Sequence, residues 1–311
     1  MNSEINNKEA ESKNKTRVFL ILGLLIWMLG LFFFLYQSRF EHSLIFARIL
    51  PTGLEIEPIT IINDTTKIDP NIDPNIFVLD TIQIDTTIKK NSEYSLRKFA
   101  PPIKSQGKLG TCVSWASAYA GLTIVKRIEK NNINAEPYSP LNLYVRYKNH
   151  FREEPCSYGA CIPYALNILQ SKGCSTFKNF LPNDCRKSAS EKTIYEDKLY
   201  AFDPINKSSI NTIKSAISSN MPVIIGMLCY DGDDWKNAVL NNGVWSGHYS
   251  GKVNSGHAMC LIGYDDNKAG GSFEIMNSWG DDWGDKGFFW IKYADFVKHV
   301  DECYALIPRK K

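Results

Sequence analysis

Residues 102–116 read PIKSQGKLGTCVSWA and decide the fold, because they join a glycine-containing loop to the start of a long helical pattern. From Cys112 the chain continues as CVSWASAYAGLTIVKRIEKNN, in which apolar residues recur every three or four positions. This periodicity predicts a buried amphipathic helix with Thr111 at its N-cap. Gly107 and Gly110 allow a sharp bend in the loop, which we expect to present the Cys112 sulfur at the surface of the fold.

The position of Cys112 suits a nucleophile. A cysteine in the first turn of a helix faces unsatisfied backbone N–H groups and the positive end of the helix dipole, and both favour the thiolate. Gln106 lies six residues earlier and carries an amide that can donate a hydrogen bond to an oxyanion. A buried core thiol is the alternative interpretation of Cys112, and this stretch alone does not decide between the two.

Two predicted strands carry the side chains that complete such a site. His257 begins the apolar run HAMCLIGY, and Asn277 ends the run SFEIMN. A glycine-rich turn at 265–271 joins the two runs into a predicted hairpin, which places the imidazole beside the carboxamide. Cysteine, histidine and asparagine together supply a nucleophile, a general base and a group that orients the base.

At these residues the chain resembles the papain-like cysteine peptidases, as a membrane-anchored, bacterial-type member. The matches are Gln106, Gly107, Gly110 and Cys112 around the nucleophile, His257 with Ala258, and the NSWG block at 277–280 followed by Trp283, Gly284 and Gly287. The resemblance covers about residues 95–307. The 145 residues that separate Cys112 from His257 (257 − 112) fall within the family's spacing of about 130–150 residues.

The resemblance implies an α+β, papain-like two-lobed fold, with a helical lobe followed by an antiparallel β lobe. The order of the predicted elements agrees, since helices dominate before residue 201 and strands follow residue 221. A cleft between the lobes would bring Cys112 against His257 and Asn277.

The resemblance also implies the roles of the site residues. Cys112, His257 and Asn277 would be catalytic, with Gln106 as a donor to the oxyanion. The substrate-binding residues would be Gly159 and Ala160, which would offer backbone hydrogen bonds, Ile162 and Ala258 in an apolar specificity pocket, and Trp279, which would cover the contact between Asn277 and His257. Leu109 stands where papain has a disulfide cysteine, so that disulfide is absent here.

The main functional hypothesis is a peptidase that hydrolyses peptide bonds in a protein or peptide substrate. An acyl transferase or peptide ligase on the same triad is one alternative, and an inactive binding module on the same scaffold is another. A binding module has no need of all four catalytic side chains. Endopeptidase and exopeptidase action are both open.

Residues 18–36 read VFLILGLLIWMLGLFFFLY, an uncharged stretch long enough to cross a bilayer as a helix. A cleaved signal peptide is the alternative, although its apolar region is normally shorter. Basic residues precede the stretch at Lys8, Lys13, Lys15 and Arg17, which predicts a cytoplasmic tail at 1–17. The catalytic domain is then expected outside the cytoplasm, in the periplasm or the extracellular space.

Residues 37–94 contain several prolines and the repeat IDPNIDPN, and we interpret them as a stalk that separates the anchor from the peptidase domain at 95–311. An inhibitory propeptide is the alternative, but the long amphipathic helical pattern that it needs is missing from the sequence.

Composition excludes several other classes of protein. The formal net charge is +3 over 311 residues, and there is no basic cluster with interleaved aromatic residues, so we expect no nucleic-acid partner. The spacing of the cysteines at 156, 161, 174 and 185 lacks the close pairs of a structural zinc site, so we expect neither a metal nor a cofactor. Among the eight cysteines, Cys156 and Cys185 are the best candidates for a disulfide.

Overall fold

The computed structural model describes residues 84, 91–151, 159–180, 197–230, 235, 243–245, 247 and 252–309. The predicted tail at 1–17, the predicted membrane segment at 18–36 and nearly all of the predicted stalk lie outside these residues. None of the helices within the described ranges combines the length and the apolar character needed to cross a membrane.

The chain from Cys112 forms one continuous helix, as predicted. It consists of α1 (Cys112–Ser114), a π-helical section (Trp115–Leu122) and α2 (Thr123–Glu129), and we call the three together the central helix. Every residue from 112 to 127 is buried, so this helix is the core of the fold rather than a surface element. Thr111 occupies the N-cap position, but its side chain makes no capping hydrogen bond, unlike the usual role of a threonine there.

Further helices pack against the central helix or against the sheet. They are α3 (Pro140–Phe151), α4 (Ile162–Ser171), α5 (Ile210–Ser218) and α6 (Tyr293–His299), with short 3-10 helices at Arg97–Phe99 and Lys268–Gly270. Helices α3 and α4 both pack against the π-helical section, and this packing forms the helical half of the fold.

Eight strands among the described residues form a single sheet. They are β1 (Glu93–Ser95), β2 (Ala201–Pro204), β3 (Val223–Tyr230), β4 (Val244–Trp245), β5 (Val253–Asp265), β6 (Ser272–Met276), β7 (Phe288–Lys292) and β8 (Val300–Ile307). Their order is β2-β8-β3-β5-β6-β7-β4, and β1 pairs with the end of β5. Strand β1 begins two residues before the predicted start of the domain at 95.

The predicted antiparallel sheet is a mixed sheet. Val244 pairs with Trp290 and Trp245 with Ile291 in a parallel register, while every other strand pair among the described residues is antiparallel. The parallel pair arises because β4 returns to the sheet beside β7, which is far from it in sequence. Sequence periodicity reports which residues form strands, but it does not report the direction of such a distant pairing.

The described cysteines are all buried thiols: Cys112, Cys161, Cys174, Cys229, Cys260 and Cys303. Cys229 lies on β3 and Cys260 on β5, so both belong to the packed sheet. The disulfide predicted between Cys156 and Cys185 lies outside the described residues.

Gly121 allows the central helix to approach the sheet closely. A Cβ atom at this position would lie 2.5 Å from a side-chain methyl of Leu306 on β8 and 2.9 Å from one of Ile224 on β3. Both distances are shorter than carbon atoms tolerate, so a side chain at residue 121 would force the buried side chains of Leu306 and Ile224 to move within a closely packed interior.

We expect Gly121→Ala to destabilise the protein by about 1–3 kcal/mol, because the added methyl group overpacks the contact between helix and sheet. Helix propensity alone predicts the opposite sign, a stabilisation of about 1 kcal/mol. Urea unfolding of the Cys112→Ala protein with and without the substitution measures the difference. A more stable Gly121→Ala variant would contradict the packing argument.

Candidate active site

Cys112 begins the central helix and is fully buried. The expectation that the glycine loop presents its sulfur at the surface is wrong, because the strand that carries His257 and Ala258 packs against the first helical turn. Burial raises the pKa of the thiol to about 11, although backbone N–H groups of Ala258, Val113 and Cys112 itself lie within hydrogen-bond reach of the sulfur and favour the thiolate. The expected effect of the helix N-terminus is therefore present but is outweighed by desolvation.

His257 lies on β5, where it pairs with Met227 of β3, and its side chain is 3% exposed. Asn277 follows directly after β6, the partner of β5 in the predicted hairpin. His257 Nε2 and Asn277 Oδ1 are 2.8 Å apart. The sequence prediction that the hairpin brings imidazole and carboxamide together is thus confirmed.

The backbone of Ser278 fixes which ring nitrogen of His257 carries hydrogen. The Ser278 N–H donates to Asn277 Oδ1 at 2.8 Å, and because an N–H group can only donate, the atom that it meets is the carboxamide oxygen. The same oxygen faces His257 Nε2, so Nε2 must be protonated in the neutral ring. Nδ1 is then left with its lone pair and can accept a proton.

Burial also controls the charge of His257. Desolvation lowers the pKa of its imidazole to about 4, and the hydrogen bond with Asn277 opposes this effect only in part. Taken one at a time, both Cys112 and His257 therefore favour their neutral forms at neutral pH.

Gln106 is held in one orientation by hydrogen bonds at both ends of its side-chain amide. Oε1 accepts from the Ser278 hydroxyl at 2.6 Å, and Nε2 donates to the Leu109 carbonyl at 2.9 Å. The backbone N–H of Gln106 also donates to the Ser278 carbonyl at 2.8 Å. Because an amide nitrogen carries two hydrogens, one N–H of the fixed Gln106 side chain remains for a further acceptor.

Ser278 connects the two halves of this arrangement. Its N–H orients Asn277, and its hydroxyl orients Gln106. Sequence analysis matched Ser278 as part of the NSWG block but gave it no function. The sequence does contain a signal for such a function. Ser278 follows Asn277 directly and carries a side-chain hydroxyl as well as its backbone N–H, so it can form hydrogen bonds with two different partners.

Trp279 covers His257, as predicted. The two rings are stacked with centroids 4.6 Å apart and planes inclined by 22°. The backbone of Trp279 forms a bridge with Ser105, next to Gln106. The indole therefore limits the access of water to the imidazole from one face.

The remaining predicted substrate-binding residues divide into two groups. Ala258 lies beside the sulfur of Cys112, through its backbone N–H, and is 1% exposed. Gly159 and Ala160 precede α4, and Ile162 begins it; all three are buried. The first turn of the central helix contacts α4, which brings this second group to the Cys112 side of the fold.

The position of the absent disulfide is filled by apolar packing. Leu109, where papain has a cysteine, packs against a buried cluster of Leu141 and Tyr144, and Phe180 packs against the same cluster. A cavity of about 290 Å³ adjoins this region, lined by Lys104, Ser105, Gln106, Leu109, Trp115, Leu141 and Phe177. Contacts between side chains thus hold the loop that carries Gln106 without a covalent link.

The buried His257 predicts an acid-sensitive fold. Below pH 6.5 an unfolded imidazole takes up a proton that the folded ring, with its pKa lowered to about 4, does not bind. The free energy of unfolding should therefore fall by about 3 kcal/mol between pH 7 and pH 4 through this residue alone. Comparing urea unfolding of Cys112→Ala with that of Cys112→Ala/His257→Gln at several pH values isolates the effect. Identical pH dependence in the two proteins would refute it.

Comparison with known proteins agrees with this geometry. The sequence model of the papain family of cysteine proteases matches residues 91–304. Similar proteins include an uncharacterised peptidase C1-like protein of Acanthamoeba polyphaga mimivirus, 25% identical over 249 residues that span 74% of each chain. A cathepsin B-like cysteine proteinase 6 of Caenorhabditis elegans is 32% identical over 154 residues, which span 46% of this chain and 38% of that protein.

Solved structures show the same fold. Xylellain, a cysteine protease from Xylella fastidiosa, superposes with a TM-score of 0.60 at 20% identity, over 75% of this chain and 91% of xylellain. The family match spans more than half of the 311 residues and includes every residue of the site described above. The chain belongs to the papain family of cysteine proteases.

Proposed function

We propose that this protein is a membrane-anchored cysteine peptidase that hydrolyses peptide bonds with Cys112 as nucleophile, His257 as general base and acid, and Asn277 as the residue that orients His257. The observation that carries the proposal is the 2.8 Å contact between His257 Nε2 and Asn277 Oδ1, at a strand whose next residue, Ala258, has its backbone N–H within hydrogen-bond reach of the Cys112 sulfur. It leaves Nδ1 as the ring nitrogen that takes the thiol proton.

The reaction begins when the thiol proton of Cys112 moves to His257 and the sulfur attacks the carbonyl carbon of the substrate. The oxygen of that carbonyl gains negative charge, which the backbone N–H of Cys112 and the free N–H of Gln106 stabilise. His257 then donates its proton to the leaving amine, and water hydrolyses the acyl-enzyme. The burial of the site supports this sequence of steps, because electrostatic interactions are stronger where water is excluded.

The anchor and the location belong to the same proposal and rest on sequence alone. The apolar stretch at 18–36 would hold the protein in a membrane, and the basic residues before it would keep the tail in the cytoplasm. Substrates would then be proteins or peptides outside the cytoplasm. The backbone of Gly159 and Ala160 would form hydrogen bonds with the bound substrate.

Replacement of the nucleophile tests the proposal most directly. Cys112→Ala in the full-length chain should abolish cleavage of a denatured protein and remove the rapid alkylation by iodoacetamide near neutral pH. Cys229→Ala is the matched control, since Cys229 is also a buried thiol but lies on β3 and has no role in the proposed mechanism. Mass spectrometry of the products identifies free new carboxyl ends. Unchanged cleavage by Cys112→Ala, or peptides joined to an added amine instead of hydrolysed, would contradict the proposal.

Gln106→Ala should lower kcat by about 10²–10³-fold with a smaller effect on KM, because an oxyanion donor acts chiefly in the transition state. Gln170→Ala is a suitable control, since Gln170 lies on α4 and donates to the Tyr200 carbonyl. Steady-state kinetics on one peptide substrate provides both constants. A fall in kcat of less than about threefold would remove Gln106 from the mechanism.

A further inference from the structure

The tryptophan that covers His257 is itself held by rings from other parts of the chain. Trp279 meets Trp283 at 5.1 Å with planes inclined by 84°, and Trp235 at 5.4 Å with planes inclined by 82°. Both are edge-on contacts, a favourable geometry for aromatic pairs. Trp283 belongs to the same turn as Trp279, whereas Trp235 comes from the connection between β3 and β4. Trp235 is thus a support from outside the turn.

Trp235 in turn rests on rigid parts of the sheet. It stacks on Trp245 at 5.0 Å with planes inclined by 23°, and it meets Phe289 edge-on at 6.2 Å. Trp245 is fully buried on β4, and Phe289 is fully buried on β7, the strand that pairs with β4. A ring held by two such neighbours has little freedom to move.

We propose that Trp235 is a positioning residue for catalysis, which holds Trp279 flat against His257 by transmitting the fixed position of β4 and β7 to the active-site turn. The ring contacts form a continuous path from Trp245 through Trp235 and Trp279 to His257. This inference rests on the proposed function of His257 as the base, and it adds a residue that the NSWG block does not contain.

These ring contacts can affect His257 because a hydrogen bond holds its imidazole at the Nε2 edge alone among the described contacts. Asn277 Oδ1 holds Nε2, but a single hydrogen bond permits the ring to rotate about it. The stacked face of Trp279 restricts that rotation, which keeps the ring plane, and with it the lone pair of Nδ1, in one orientation. If Trp235 is removed, Trp279 loses its outer support, and both the orientation of the ring and the exclusion of water become poorer.

The test uses the full-length chain and two readouts that depend on His257 in different ways. Trp235→Ala should lower kcat by about 10–100-fold with KM changed less than about threefold. The rate of alkylation of Cys112 by iodoacetamide should fall in parallel, because this small neutral reagent needs the proton transfer to His257 but no substrate subsite. Trp235→Phe should retain most of both rates, since a phenyl ring can make the same edge-on contact.

Trp290→Ala is the matched control. Trp290 lies on β7 next to Phe289, with the Lys268 ammonium over its ring at 5.0 Å, and it is not part of the path to His257. This variant should keep both rates near those of the unchanged protein. Should Trp235→Ala fail to fold, Trp235→Leu takes its place, with thermal unfolding of each variant to confirm that it is folded.

The outcomes separate this inference from the proposed function. If Trp235→Ala keeps both rates, or if only KM rises, the tryptophan is a structural or substrate-contacting residue and the inference is overturned. If the unchanged protein does not hydrolyse peptides, the proposed function fails, while the alkylation rates of the variants still decide whether Trp235 positions the imidazole. Parallel loss of both rates in Trp235→Ala with recovery in Trp235→Phe supports the inference.

Discussion

The backbone N–H of Ser278 is the group on which the geometry of the site depends. As a group that can only donate, it identifies the carboxamide oxygen of Asn277, and that oxygen requires a hydrogen on Nε2 of His257. The tautomer of the base therefore follows from one main-chain contact. The hydroxyl of the same residue fixes the amide of Gln106, so His257 and Gln106, the proposed base and oxyanion donor, are coupled through one residue.

Sequence patterns within one helix or one hairpin predicted the parts of the site that depend on residues close together in the chain. The helix that starts at Cys112 follows from its apolar periodicity, and the contact between His257 and Asn277 follows from a short hairpin between two apolar runs. The burial of the Cys112 sulfur did not follow, because it depends on the packing of β5 against the first helical turn. The parallel pairing of β4 and the position of Trp235 are likewise long-range features, for which no residue pattern gives a signal.

Side-chain packing restrains the site in two places. Leu109 occupies the position of a papain disulfide and packs with Leu141 and Tyr144, which steadies the loop that carries Gln106. At the other end of the site, Trp235 and Trp245 steady the turn that carries Trp279. In both cases a ring or a branched side chain in a densely packed interior restrains a loop of the proposed site without a covalent cross-link.

The exclusion of water from the site disfavours a charge on Cys112 or on His257 alone, but it strengthens the attraction between the two when both are charged. Desolvation raises the pKa of Cys112 and lowers that of His257, so each resists carrying a charge alone. In the proposed mechanism the proton moves from sulfur to imidazole and creates two opposite charges, and the same lack of water that opposes each charge alone strengthens their attraction. The N–H groups at the start of the central helix and that of Ala258 further favour the thiolate. A buried thiol is therefore compatible with nucleophilic catalysis, provided that the base is held close and correctly oriented. Asn277 and Trp279 together orient the imidazole, Asn277 through its hydrogen bond and Trp279 through stacking.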